Sequence, residues 1–552
     1  MGQLILISLP MRLILIITCV LLFIPNQLVF GQAKKMDSNS LVWVADNRDG
    51  TYKNPILHAD YSDPDVVRVG NDYYMTSSSF NCIPGLPILH SKDMVNWELV
   101  NYALPKQPPF DVFDKPQHGN GVWAPCIRYH NGELYIYYPD PDYGIYMIKT
   151  KDPKGVWSKP IMVKEGKGLI DPSPLWDDDG KVYLAFAFAG SRAGIKSLLA
   201  ICTLNTEGTV ANDDDVIIID GHDSESTIEG PKLYKHNGYY YIFAPAGGVS
   251  TGWQTVLRSK NIWGPYEKRK AMDQGKTNIN GPHQGAWVQT QTGENWFFHF
   301  QDKGAYGRIV HLQPMKWVDN WPIIGTDKDG DGTGEPVSIY KKPNVGKTYP
   351  ITTPPDSDEF NTSKLGLQWQ WHANQQVYWG FPSTMGYYTM YCRPMPKEAT
   401  NLFDMRNLLL QKFPAEEFTA TTKMTFNARF DREQTGLLIM GLDYSYLKVK
   451  QSAGQLSISQ VICKNADKKG IETESEAIKL KSNLFYLQVK VKAGGICNFF
   501  YSEDGEKYTA VGTDFIAKEG KWIGAKLGFL ALRNGTINDA GSVRIDWIRI
   551  NK

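Results

Sequence analysis

The stretch Asp171-Pro-Ser-Pro-Leu-Trp176-Asp-Asp-Asp179-Gly180-Lys-Val182-Tyr-Leu184 reads as a short apolar strand, an Asp-Gly turn and a second strand of aromatic and branched residues. Asp-Gly between two such runs predicts a hairpin, because both central residues of a type I′ turn need positive φ. The same text recurs on either side. Trp123-Ala-Pro leads to Asn131-Gly132 and Leu134-Tyr-Ile-Tyr137, Glu229-Gly-Pro to Asn237-Gly238 and Tyr239-Tyr-Tyr-Ile242, and Gln284-Gly-Ala to Thr292-Gly293 and Trp296-Phe-Phe298. In these four copies the leading residue falls nine positions before the turn glycine, and a shorter fifth copy runs from Asp63-Pro-Asp through Gly70 to Tyr73-Tyr74. Hairpin copies recurring every ~50–60 residues are the signature of propeller blades, each a small antiparallel sheet around a common axis. Five copies predict five blades.

That geometry brings the leading residues together. Equivalent positions on the innermost strands of successive blades converge on the axis, and three of the five leading residues, Asp63, Asp171 and Glu229, are acids. Carboxylates gathered this way repel one another and resist ionising together, an arrangement suited to proton transfer. Asp65, on the same strand as Asp63, competes with it for a chemical role. Asp63-Pro64 and Asp171-Pro172 also have a plainer reading as turn starters.

The chain has 552 residues, a formal net charge of +1 and 21% charged residues. Its length predicts two or three domains, and its neutral balance argues against a nucleic-acid partner. Aromatic residues make up 12%, with 16 Trp and 29 Tyr, enough to fill sheet cores and leave a few rings for a ligand pocket. The apolar run Leu13 to Pro25, followed by Val29-Phe-Gly-Gln-Ala33, is short for a membrane span and reads as a cleaved export signal over residues 1–33, so the protein is expected to be secreted or periplasmic. Cys82, Cys126, Cys202, Cys392, Cys463 and Cys497 lack framework or zinc spacing and are expected as buried free thiols.

After a polar arm over 34–53, the repeats occupy 54–345. The Pro-rich segment 346–357, including Tyr349-Pro-Ile-Thr-Thr-Pro354-Pro355, reads as a linker. From 358 to 552 short alternating runs such as Phe418-Thr-Ala-Thr-Thr-Lys-Met-Thr-Phe426, Phe485-Tyr-Leu-Gln-Val-Lys-Val491 and Val543-Arg-Ile-Asp-Trp-Ile-Arg-Ile550 predict a sandwich of two antiparallel sheets. The fold class is all-β: a five-bladed β-propeller followed by a jelly-roll, concanavalin A-like β-sandwich.

The flanks of the acids carry a resemblance. Asn54-Pro-Ile-Leu, Tyr61-Ser-Asp63-Pro-Asp, Pro84-Gly-Leu-Pro-Ile-Leu-His90-Ser-Lys-Asp-Met-Val-Asn-Trp97, Trp123-Ala-Pro125, Ile170-Asp171-Pro-Ser173, Glu229-Gly-Pro231, Gly281-Pro-His283-Gln-Gly and Gly307-Arg308 together resemble glycoside hydrolase family 43. Asp358-Glu-Phe-Asn361 and Leu367-Gln-Trp-Gln-Trp371 resemble the sandwich that follows the propeller in its xylosidase and arabinofuranosidase members. The resemblance implies that Asp63 is the general base, Glu229 the general acid, and Asp171 a carboxylate that orients Glu229 and raises its pKa. It further implies that Arg308 binds sugar hydroxyls, with a surface ion pair as the plainer reading, and that the anomeric configuration is inverted; Trp123, which opens its blade at the catalytic register, and Phe80 beside the first blade are expected as pocket walls, with core packing the alternative for Trp123.

His283 resembles the histidine with which many family members help hold a largely hydrated calcium ion. One imidazole is a thin ligand set for a hard cation, so calcium and a hydrogen-bonding histidine both stay open, and no organic cofactor is expected. Asp327-Lys-Asp329-Gly-Asp331-Gly332 matches half a calcium loop, but its twelfth position is Ser338 rather than a bidentate Glu, which favours a solvated turn. The expected substrate is an oligosaccharide or polysaccharide of the plant cell wall, trimmed of terminal α-L-arabinofuranosyl or β-D-xylosyl units, with the arabinofuranosyl reading preferred. A glycan-binding propeller without turnover is the alternative.

Overall fold

The computed structural model describes residues 42–535 and 538–552; the expected export signal lies outside them. Five four-stranded sheets follow one another in sequence, spanning Asp65–Leu104, Cys126–Glu165, Leu169–Asp220, Lys232–Met272 and His283–Ile324, and each is built from four consecutive strands. These are blades I to V. Their side chains alternate, so adjacent residues of one strand pack on opposite neighbours. Leu184 joins Tyr137 between blades II and III, whereas Tyr183 joins Ile242 between blades III and IV. Tyr241 meets Phe297 between IV and V, and Phe298 meets Trp97 between V and I.

Among the described residues no strand is shared to close the ring. Instead the segment before blade I laces onto blade V. Asn54 Nδ2 donates to the carbonyls of Leu312 and Val337, both at 2.8 Å, while its Oδ1 accepts from Leu312 N at 2.9 Å. Thr51–Lys53, part of the expected polar arm, forms a two-stranded sheet with Ile339–Lys341.

The second domain is a sandwich of two eight-stranded sheets. Phe418–Asn427 lies between Ser542–Asn551 and Leu484–Lys492, and alternates buried and half-buried along its whole length, directing Phe418, Ala420, Met424 and Phe426 into the core. The opposite sheet centres on Gln434–Met440, flanked by Lys526–Arg533 and Tyr444–Ser452.

The two domains are joined by specific contacts. Ile83 and Trp371 exchange backbone hydrogen bonds, Asn374 and Gln107 bond reciprocally, and His118 stacks on Phe403 at 3.7 Å between centroids. The six cysteines among the described residues are free and buried, as their spacing predicts. Among the described residues no helix is long and apolar enough to cross a membrane.

Candidate active site

Four of the five innermost strands carry a kink at or near their start. Asp63, Asp171, Gly230 and Gln284 hold that kink with φ of 54°, 56°, 60° and 43°. Asp and Asn tolerate this left-handed region better than most side chains, and Gly does so freely. In blades I, III and IV regular pairing with the second strand begins or resumes two residues after the kink. Asp65 stands there in blade I, fully buried, with Oδ2 accepting from Ile127 N at 2.7 Å and Arg128 Nη1 at 2.8 Å. Ser173 does the same in blade III, its Oγ accepting from Leu233 N at 2.9 Å. Asp65 therefore stitches blade I to blade II and is removed from contention as the base.

The nine-residue spacing conceals a shift of register. Blade IV turns through two residues, Asn237-Gly238, whereas blade III turns through the five residues Asp177–Lys181. By the kink register Glu229 precedes Gly230 and so sits one position before the place Asp171 fills in blade III. Trp123, before Ala124-Pro125-Cys126, shares the Glu229 position. That offset sends the acid in blade IV to a different height from the other two. Glu229 is accordingly the most accessible of the three acids, its side chain 26% exposed against 7% for Asp63.

Asp63, Phe80, Trp123, Asp171, Glu229, His283 and Arg308 all line one cavity of about 260 Å³. Larger grooves lie on the sandwich around Asn427 and Arg429 and on the far face of the propeller around Arg68 and Lys235, but neither brings these acids together.

Asp63 Oδ2 accepts from Ser62 Oγ at 2.7 Å and Ser78 Oγ at 2.5 Å, and Arg308 Nη1 lies 3.3 Å from Oδ1. The same guanidinium nitrogen donates to Ser62 Oγ at 2.8 Å, while its plane lies over Phe300 at 4.8 Å. Asp171 Oδ2 accepts from Gly230 N at 2.7 Å, which fixes the backbone next to Glu229. Burial, then the nearby Glu229 and Asp63 carboxylates, push Asp171 up to about 8. The Asp171 carboxyl thus retains its proton near neutral pH.

His283 Nε2 lies 3.3 Å from Glu229 Oε1, but outside hydrogen-bond alignment, and neither ring nitrogen has another partner. The only three His, Cys, Asp or Glu ligand groups converging among the described residues are Asp327, Asp329 and Asp331, within 4.8 Å of one another. There Asp327 already accepts from the N–H groups of Gly330 and Gly332.

Sequence reasoning missed Trp522. It comes from the sandwich, lines the same cavity, lies 6.3 Å from the Trp123 ring, and has the Arg308 guanidinium 5.6 Å away. Its loop is pinned by Asp60, whose Oδ2 accepts from Gly524 N and whose Oδ1 accepts from Arg308 N, both at 3.0 Å. Gly307 is required beside it: φ is 71°, and a Cβ would meet the Asp60 carboxylate at 2.6 Å.

The profile of glycosyl hydrolases family 43 matches residues 52–322, and that of the β-xylosidase C-terminal concanavalin A-like domain matches residues 357–551. A putative β-xylosidase from Xylanibacter ruminicola is 38% identical over 88% of this chain and 87% of its own length. A non-reducing end α-L-arabinofuranosidase from Bacteroides ovatus is 29% identical over 73% of this chain and 77% of its own length. Among solved structures, a family 43 protein from Bacillus licheniformis superposes with a TM-score of 0.78 at 27% identity, covering 91% of this chain and 99% of that one.

Proposed function

Because this chain belongs to glycosyl hydrolase family 43, and is thereby a glycoside hydrolase acting on a carbohydrate, we propose that it releases terminal β-D-xylosyl units from plant cell-wall glycans with inversion. The observation that carries the mechanism is the meeting of Asp63, Asp171 and Glu229 on one cavity of about 260 Å³, near the lower end of the ~300–1,000 Å³ typical of ligand pockets and suited to a single sugar ring.

Asp63, ringed by the donors Ser62, Ser78 and Arg308, takes the proton of the attacking water. Glu229 gives its proton to the departing oxygen. Asp171 acts through Glu229: it holds the Gly230 amide beside the acid and keeps its own proton near neutral pH, so no second charge stands there. Two carboxyls used in this way require separation of ~6.5–9.5 Å so that water fits between base and sugar. Arg308 presents a fork of donors to vicinal hydroxyls, and Phe80, Trp123 and Trp522 wall the ring.

The preference for xylosides over the arabinofuranosides expected from sequence rests on the Xylanibacter ruminicola relative and on the profile matched by the sandwich. Arabinofuranosides remain the second substrate class, supported by the Bacteroides ovatus relative. His283 offers one imidazole, with one carboxylate beside it, a poor donor set for calcium, which takes ~6–8 oxygen ligands. We assign it to hydrogen bonding with the bound sugar beside Glu229; added calcium or a chelator should leave activity unchanged. Export rests on the Leu13–Pro25 run, and an intact residue 1 on extracytoplasmic protein would refute the cleaved signal.

Proton NMR of the first product tests the proposal. Hydrolysis of an aryl β-xyloside should yield α-xylose before mutarotation; β-xylose as the first product would exclude inversion. A turnover on aryl arabinofuranoside alone would reverse the substrate order.

A further inference from the structure

Where the sandwich docks on the propeller, Lys526 Nζ donates to Cys82 Sγ and to Gln370 Oε1, both at 3.0 Å. The lysine is 1% exposed and the cysteine 2%. Gln370 is fixed in turn, its Nε2 donating to the Pro84 carbonyl at 2.8 Å. Among the described residues no carboxylate stands within ion-pair distance of Lys526, and an ammonium buried without an anion is costly. Two states of the pair avoid that cost: ammonium with thiolate, and amine with thiol. None of the other five cysteines among the described residues has an amine nitrogen bonded to its sulfur.

The pair stands behind two walls of the catalytic cavity. Phe80 lies two residues before Cys82 and Trp522 four before Lys526, and both rings line that cavity. The Cys82 segment is clamped to the sandwich, with Asn81 Nδ2 donating to the His372 carbonyl at 2.7 Å and Ile83 bonded to Trp371. Cys82 packs against Phe80, Ile523 and Trp123, so one layer of side chains separates its sulfur from the cavity.

We propose that Cys82 and Lys526 are a redox cross-linking site, closed by hydrogen peroxide into an S–N sulfenamide that locks the sandwich onto the propeller. The thiolate attacks peroxide: an S–O bond forms, the O–O bond breaks, and the departing hydroxide leaves as water with a proton from the Lys526 ammonium. Sulfur is oxidised by two electrons and peroxide is reduced. The amine so freed attacks the sulfenyl sulfur: an N–S bond forms, the S–O bond breaks, and hydroxide departs as water with a proton from nitrogen. The 3.0 Å contact already lies within the ~3–3.5 Å of a near-attack geometry. A thiol reverses the link by attacking Sγ and releasing the amine, and a second thiol restores Cys82.

The test is a peptide map of the full chain after hydrogen peroxide, with and without dithiothreitol before digestion. Met385, 76% exposed, gauges the dose through its conversion to sulfoxide. At a dose that converts Met385, the Cys82 and Lys526 peptides should appear joined, two hydrogens lighter than their sum, with tryptic cleavage after Lys526 lost; dithiothreitol should separate them. The linked protein should melt about 5 °C or more above the reduced one, as expected for a bridge across a long loop. Cys82→Ser and Lys526→Met should each abolish both effects; where a variant does not fold, the wild-type map alone decides. Unmodified Cys82 at that dose, or Cys82 as sulfinic or sulfonic acid beside free Lys526, would overturn the site. A link formed without a rise in melting temperature would overturn its role as a lock. The proposal does not rest on the glycosidase reading, which stands or falls separately.

Discussion

Trp123 of the propeller and Trp522 of the sandwich meet edge-on in the wall of the catalytic cavity, their ring centroids 6.3 Å apart and their planes inclined at 64°. A site whose walls come from residues 399 positions apart is a two-domain site, with the sandwich supplying part of the pocket. Trp522→Ala should therefore raise KM about tenfold for both oligosaccharides and β-xylosyl fluoride, the effect of losing one aromatic wall worth ~1–2 kcal/mol. Unchanged steady-state kinetics with this variant would confine the sandwich to a structural role.

Asp60 couples that loop to Arg308, accepting from Gly524 N with one oxygen and Arg308 N with the other. Asp60→Asn leaves one acceptor and turns the other position into a donor facing an N–H. The expected result is a rise in KM for both substrate types of about tenfold or more, as for a misplaced positioning group, measured below the onset of unfolding. A lowered melting temperature with normal KM would make Asp60 a structural clasp only.

The raised Asp171 carboxyl carries a sign for stability. Its proton is held more tightly in the folded protein, so its stabilising contribution is complete below the unfolded pKa of ~3.9 and is lost as pH rises through the folded value of about 8. Asp171→Asn removes this dependence. Melting temperatures should show the variant gaining on wild type as pH rises from 5 to 8, while its hydrolytic rate falls; a pH-independent difference would contradict the account.

The blades were legible because Asn-Gly, Asp-Gly and Thr-Gly turns with aromatic strands are local signals, and the alternation of Phe418–Asn427 declares its own buried face. The acids were legible because every blade repeats the same approach to the axis. Their relative height was not: Glu229 and Asp171 share a spacing to their glycines only because a two-residue turn in one blade and a five-residue turn in the other compensate for a shift of one position. Trp522 was illegible because nothing local in Gly520-Lys-Trp-Ile-Gly524 distinguishes a core tryptophan from one held out by a positive φ of 64° and a distant Asp60. Contacts between domains depend on docking, which periodicity does not encode.

The central claim is that Glu229 delivers the proton to the departing oxygen, and kcat for Glu229→Gln on two leaving groups tests it most directly. The account predicts a loss of about 10³-fold or more on xylobiose, whose sugar alkoxide cannot depart unprotonated, and of about tenfold or less on β-xylosyl fluoride. Equal losses on both, or near-normal cleavage of xylobiose, would contradict it.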